Sequence, residues 1–227
     1  MQKRHAIVVA GGRGARFGSA EPKQFLLLHG RPVLLHAMER FFAYDSAIGI
    51  TLALPEGQLE RWRALARQHG VTIPHAVVAG GETRFHSVQR ALKTLAGSGG
   101  DALVAVHDGV RPLVSGATIA ACFEAAERTG AAVPVTPLTD SLRRLSPTGE
   151  SVAVNREDFC AVQTPQVFRL SVLREAYGQA FCGDFTDDAS VVERAGYRVA
   201  LVAGNPENIK ITKPADLLLA RELEAKN

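Results

Sequence analysis

The chain has 227 residues, enough for one large domain or two small ones, and its 46% hydrophobic and 22% charged content excludes a fibrous or disordered protein. Its 26 basic and 23 acidic residues leave a net charge of +3, too small and too dispersed for a nucleic-acid-binding stripe. No apolar run approaches the roughly 18 residues of a spanning helix, so a cytoplasmic protein that touches no membrane is expected. Cys122, Cys160 and Cys182 lack metal-ligand spacing and fit reduced thiols, two of them in apolar, core-like contexts.

The first strand-like run, HAIVVA, leads into AGGRGARFGSAEPKQ, residues 10–24. This loop is longer than the roughly 2–6 residues of an ordinary strand-to-helix connection, which points to function. It fails as a dinucleotide fingerprint, because Phe17 stands where the last glycine belongs and no ribose-binding acid follows. It also fails as a Walker loop, since Pro22 and Gln24 flank Lys23. Glycines 11, 12 and 14 let backbone N–H groups approach a polyphosphate, and Arg16 and Lys23 add full charges.

Further strand-like runs follow at 48–54, 75–79, 102–107, 131–135 and 197–202, alternating with helical patterns over 32–42, 56–68, 83–95, from the cap Ser115 onward, and 214–223. This alternation predicts an α/β fold with a mostly parallel twisted sheet flanked by helices. Between Asp140 and Phe159, two short runs around Ser-Pro-Thr-Gly predict a projecting β-hairpin, an arm at about 138–160 suited to dimerisation. The whole of 1–227 reads as a single domain. Asp108 closes the run ALVAVH, at a strand end where an oxygen ligand meets Mg²⁺; a helix cap or a partner for Arg111 are the other readings. Asp184, Asp187 and Asp188 form an acidic cluster that reads better as a helix start capped by Thr186 than as a metal site. Lys210 lies in a short β-like stretch before the helix begun by Pro214.

Seven blocks in order, AGGRGARFGSAEPKQF, GGETRFHSV, VHDGVRP, PLTDSLRR, VNREDFCAVQTPQVF, FTDDASVVE and NPENIKITKPADL, resemble the 2-C-methyl-D-erythritol 4-phosphate cytidylyltransferase family over nearly the full length. The resemblance implies a Rossmann-like nucleotidyltransferase fold, a homodimer clasped through the arm, a divalent cation such as Mg²⁺, and transfer of the cytidylyl group of CTP to a sugar-alcohol phosphate with release of pyrophosphate, in isoprenoid precursor synthesis. Its catalytic cations fall on Arg16, Lys23, Arg156 and Lys210. Nucleotide contacts fall on Ala10, Gly11, Gly12, Arg13, Gly14, Gly81, Glu82, Ser87, Asp108 and Gly109, with Asp108 toward the metal. Acceptor contacts fall on Arg111, Ser141, Arg156 and Thr164, Arg156 and Ser141 reaching across the dimer. Ser87 also reads as a mid-helix hydroxyl bonded to the preceding turn.

The chain departs from the family's usual Pro-Ala-Ala-Gly at Val9-Ala10-Gly11-Gly12 and from its His-Asp-Ala-Ala-Arg-Pro at 107–112, and has Glu82 where aspartate is common. The first departure leans toward ribitol-5-phosphate cytidylyltransferases, an alternative acceptor for the same chemistry. A non-catalytic nucleotide-binding module is the other alternative, and the convergence of Arg16, Lys23, Asp108 and Lys210 argues against it.

Overall fold

A computed structural model describes residues 2–11, 21–99 and 101–225. In chain order the elements are β1 (Arg4–Val9), β2 (Leu27–Leu28), β3 (Arg31–Pro32), α1 (Val33–Tyr44), β4 (Gly49–Leu54), α2 (Leu59–Gln68), β5 (His75–Ala79), α3 (Arg84–Lys93), β6 (Leu103–Asp108) and α4 (Gly116–Thr129). They continue with β7 (Ala131–Pro137), β8 (Leu142–Leu145), β9 (Ser151–Val154), β10 (Cys160–Val162), β11 (Gln166–Arg169), α5 (Leu170–Ala176), α6 (Asp188–Arg194), β12 (Ala200–Ala203) and α7 (Pro214–Glu224).

The main sheet has the order β10-β7-β11-β6-β1-β4-β5, with β12 also beside β7. Strands β6, β1, β4 and β5 run parallel, as does β12 with β7, whereas β10 and β11 are antiparallel to their neighbours. The sheet is therefore more mixed than the apolar runs alone predict. Its two antiparallel members are only three and four residues long, and they pair across the sheet rather than by local alternation.

Period-two alternation on β1 explains why both faces are covered. Ala6 and Val8 pack with Leu34, Met38 and Phe41 of α1, Trp62 of α2 and Phe123 of α4. Ile7 and Val9 pack with Phe85, Val88 and Leu92 of α3 and Leu173 of α5. A smaller cluster seats α7, through Ala220, on Val33, Leu113 and Ile211.

The chain leaves β1 for β4 on one side and returns through β6 on the other. This makes the carboxyl ends of β1 and β6 the topological switch point, where open α/β sheets bind ligands.

The hairpin stands where the sequence predicts it, with Leu142 to Leu145 paired against Val154 to Ser151 and Gly149 at φ 89° in the turn. Ser115 caps α4, its Oγ accepting from the Thr118 N–H at 3.0 Å. Three expectations change. The cap of α6 is Asp187, not Thr186: its carboxylate accepts the Ser190 N–H at 2.9 Å while Ser190 Oγ accepts the Asp187 N–H at 3.2 Å. Lys210 sits in irregular chain rather than a strand, because Ile211 N–H bonds Val110 C=O without a ladder around it. Only Cys122 is a core thiol, with its pKa pushed up to about 12 by burial; Cys160 is exposed and Cys182 half-buried.

Candidate active site

A cavity of about 250 Å³ opens at the switch point, lined by Val9, Ala10 and Gly11 after β1, Lys23 and Gln24 beyond the loop, Gly81 to Arg84 and Ser87 at the start of α3, Asp108 and Val110 after β6, and Lys210. A second cavity of about 160 Å³ adjoins it, lined by Arg111, Gln163, Thr164, Gln166, Thr186 and Asp187 among others. Arg84, Asp108 and Lys210 border both.

Asp108 is 6% exposed and holds three cations. Lys210 Nζ lies 3.0 Å from its Oδ2, Arg111 Nε donates to the same oxygen at 3.3 Å, and Arg84 Nε lies 3.6 Å from Oδ1. Burial alone would raise the carboxyl pKa, but Arg84, Lys210 and Arg111 outweigh it and hold the group ionised well below the usual carboxylate range. Arg111 is thus a partner of Asp108, within a larger cationic cluster.

Two buried networks fix this carboxylate. In one, His107 Nε2 meets the Arg111 carbonyl at 3.0 Å and Nδ1 meets Thr164 Oγ1 at 3.0 Å, while that hydroxyl accepts the Asp108 N–H at 3.1 Å. A proton on Nε2, facing the carbonyl, leaves Nδ1 to accept from the threonine; burial lowers the His107 pKa to about 4, so the ring is neutral. In the other, Arg84 Nη2 lies 2.6 Å from Asp188 Oδ2, and Tyr177 Oη donates to Asp188 Oδ1 at 2.5 Å. Asp188 is fully buried, and its charge raises the Arg84 pKa against the opposing pull of burial.

Local structure places the cavity's first wall. Ala10 N–H bonds Ala53 C=O at 3.0 Å, and the fully buried Gln24 amide donates to Ala10 C=O at 2.9 Å and Gln58 Oε1 at 2.5 Å. This closes the ends of the loop on each other and sets Lys23 on the cavity rim. Ser87 Oγ accepts the Gly81 N–H at 3.1 Å and donates to Thr83 C=O at 2.9 Å, so it is both the back-bonded hydroxyl and part of the cavity lining. A Cβ on Gly81 would overlap His86 Cβ and lie 3.0 Å from the His86 carbonyl carbon, so only glycine lets the strand end run this close to α3.

The structure thus brings together Ala10, Gly11, Lys23, Gly81, Glu82, Ser87, Asp108 and Lys210 at one cavity, and Arg111 and Thr164 at its neighbour. Gly109 lines neither; a Cβ there would meet Ala10 Cβ at 2.9 Å and Leu34 Cδ1 at 2.8 Å, so its role is close packing under the site. Ser141 and Arg156 are exposed near the arm, with Arg156 Nη1 on Thr139 C=O at 2.5 Å, away from both cavities. Gly12, Arg13, Gly14 and Arg16 lie outside the described residues.

Arg84 and Tyr177 escape the sequence reading, and Asp188, read there as part of an acidic helix start, does open α6 but also pairs with Arg84. The available signal was an arginine directly after the Thr83 cap, a position where the helix dipole disfavours a cation unless acids compensate it.

A family model described as IspD, 2-C-methyl-D-erythritol 4-phosphate cytidylyltransferase, matches residues 4–224. A protein of that name from Porphyromonas gingivalis is 51% identical over 223 residues, covering 98% of each chain. One from Phocaeicola vulgatus is 49% identical over 220 residues, covering 97% of this chain and 99% of the relative. The crystal structure of 2-C-methyl-D-erythritol 4-phosphate cytidylyltransferase from Thermus thermophilus superposes with a TM-score of 0.76 at 35% identity, covering 99% of this chain and all of that one. With the family model spanning both cavities and the cationic cluster between them, the chain belongs to the 2-C-methyl-D-erythritol 4-phosphate cytidylyltransferase family.

Proposed function

We propose that the chain transfers the cytidylyl group of CTP to 2-C-methyl-D-erythritol 4-phosphate, releasing pyrophosphate, in isoprenoid precursor synthesis. The observation that carries this reading is the shared wall: Arg84, Asp108 and Lys210 border both cavities, so a triphosphate in the larger and a phosphate monoester in the smaller would meet at cations.

A phosphate monoester has its second pKa near 6 and is largely dianionic at neutral pH, so it needs no general base. His107 supports this: it is buried, neutral and bonded at both ring nitrogens. The barrier is the repulsion between the dianion and the α-phosphate, which positioned cations lower. Lys23 and Arg16 are proposed for the α-phosphate on the loop side, Lys210 for the meeting point and Arg111 for the incoming phosphate.

Among the described residues no three His, Cys, Asp or Glu side chains gather into a metal site. Glu82 and Asp108 on the cavity wall still fit Mg²⁺, which binds through one or two carboxylates together with nucleotide phosphates. When bound, such an ion would neutralise part of the triphosphate charge.

The arm supports a homodimer. A two-stranded hairpin is marginal by itself in water, and here Leu145 is 73% and Val152 58% exposed. Packed against a second copy, the arm would carry Ser141 and Arg156 toward the partner's acceptor cavity. The free thiols of Cys122, Cys160 and Cys182 are in keeping with a cytoplasmic setting.

Pyrophosphate release from CTP and Mg²⁺ is measured with methylerythritol 4-phosphate, with ribitol 5-phosphate and without acceptor. Release with the first alone is expected. Release with ribitol phosphate alone moves the acceptor assignment, and none with either rejects the activity.

A further inference from the structure

The cationic cluster contains one member held from behind. Arg84 opens α3, with Nε 3.6 Å from Asp108 and Nη2 2.6 Å from Asp188, and borders both cavities. Asp188 contributes nothing to the larger cavity; it is fully buried at the start of α6 and takes the Tyr177 hydroxyl at 2.5 Å. Tyr177 stacks on Phe85 with ring centroids 4.7 Å apart, so the hydroxyl is fixed by the residue next to Arg84 itself.

We propose that Asp188, fixed by Tyr177, is a positioning residue for the transfer: by holding the Arg84 guanidinium back from Asp108, it leaves that carboxylate to align Lys210 and Arg111 at the meeting point of the two cavities. This rests on the transferase reading above. Two carboxylates face three cations here, and Arg84 is shared between the two acids. Neutralising Asp188 removes one side of that sharing. Arg84, still charged, then turns its whole attraction on Asp108 and competes with Lys210 and Arg111 for its oxygens. Charge pairs in one contact network are expected to show such coupling, whereas independent structural losses add.

The test is a double-mutant cycle on the purified full chain, with native turnover of CTP and methylerythritol 4-phosphate established first. If the native chain is inactive, the transferase reading fails and the cycle is not reached, which separates the two failures. Asp188→Asn is expected to lower kcat about tenfold or more while the KM for CTP moves less than about threefold, the pattern of a lost transition-state interaction. In an Arg84→Ala background the same substitution should change kcat by less than about twofold, because the residue acts through Arg84.

Arg84→Ala leaves a buried charge unpaired and can fail to fold. Tyr177→Phe therefore serves as a second probe that keeps both charges: it is expected to lower kcat about threefold, and to have no further effect in the Asp188→Asn background. The proposal is overturned if Asp188→Asn lowers the melting temperature but leaves kcat within twofold of native, if its cost is the same with and without Arg84, or if Tyr177→Phe lowers kcat equally in the native and Asp188→Asn chains.

Discussion

Lys210 is 42% exposed, yet its ammonium lies 3.0 Å from the buried Asp108 carboxylate, so chemistry and stability separate at this pair. Lys210→Ala is expected to cost about a hundredfold in kcat/KM, the effect of a lost preorganised charge, with little change in melting temperature. Asp108→Asn should cost activity and also roughly 3 kcal/mol of stability in urea unfolding, because it takes the counter-charge from Arg111, whose side chain is only 12% exposed. A Lys210 variant that unfolds as readily as the Asp108 variant would contradict this division. His107 makes a pH prediction. Its folded pKa of about 4 lies below the ordinary 6.5, so the unfolded chain takes up the proton first as pH falls. Its stabilising contribution is complete above pH 6.5, declines below it and is gone near pH 4. The shift corresponds to about 3 kcal/mol. Unfolding measured from pH 7 to 4.5 should fall more steeply for the native chain than for His107→Gln; parallel curves would refute the assignment.

Residues whose chemistry shows in their type and neighbours were legible: Asp108 at a strand end, Lys23 after a glycine loop, Ser115 before a helical face. The pairing of Arg84 with Asp188 was not. Each sits in the first turn of a helix, where sequence reads a polar residue as surface or cap, and only the packing of α3 and α6 against the sheet turns them toward each other. Thr164 was legible only through the resemblance, and its geometry gives it the reason that its hydroxyl joins His107 to the Asp108 backbone.

Among the elements, the long strands and helices with clear periodicity stand close to where the sequence puts them. β10, β11 and α5, of three, four and seven residues, carry too little pattern to see, and their pairing is set by distant strands. The approach of the β5 end to α3 makes an element-scale prediction. Gly81→Ala forces a Cβ into His86 Cβ and to 3.0 Å from its backbone carbon, so α3 must shift and carry Arg84 and Ser87 with it. Such overpacking costs about 1–3 kcal/mol and should raise the KM for CTP; Gly97→Ala, whose added Cβ meets nothing within 4 Å, should do neither. Equal behaviour of the two in melting and steady-state assays would show that the close approach is not what places the α3 wall. The arm carries a separate expectation. Leu145→Asp with Val152→Asp should leave the melting of the main domain intact but convert a dimer to monomer in sedimentation equilibrium, and an unchanged mass would remove the arm from the interface.

For the whole molecule, the reversal of strand order at β1 and β6 brings Ala10 and Gly11, Lys23 and Gln24, the α3 start and Asp108 to one edge, although they are spread from residue 10 to residue 108. The last contributor, Lys210, arrives through the chain between β12 and α7, held by the Ile211 N–H on Val110 C=O at 2.9 Å. In the proposed reaction that assembly makes a sheet edge the meeting place for two anions. The most direct measurement is a crystal structure with CTP, Mg²⁺ and methylerythritol 4-phosphate. The triphosphate is predicted in the cavity lined by Lys23 and Gly81 to Arg84, with the α-phosphate and the acceptor phosphate converging at Lys210 beside Asp108. A nucleotide bound elsewhere, or an α-phosphate more than a hydrogen bond's reach from both Lys23 and Lys210, would contradict the account.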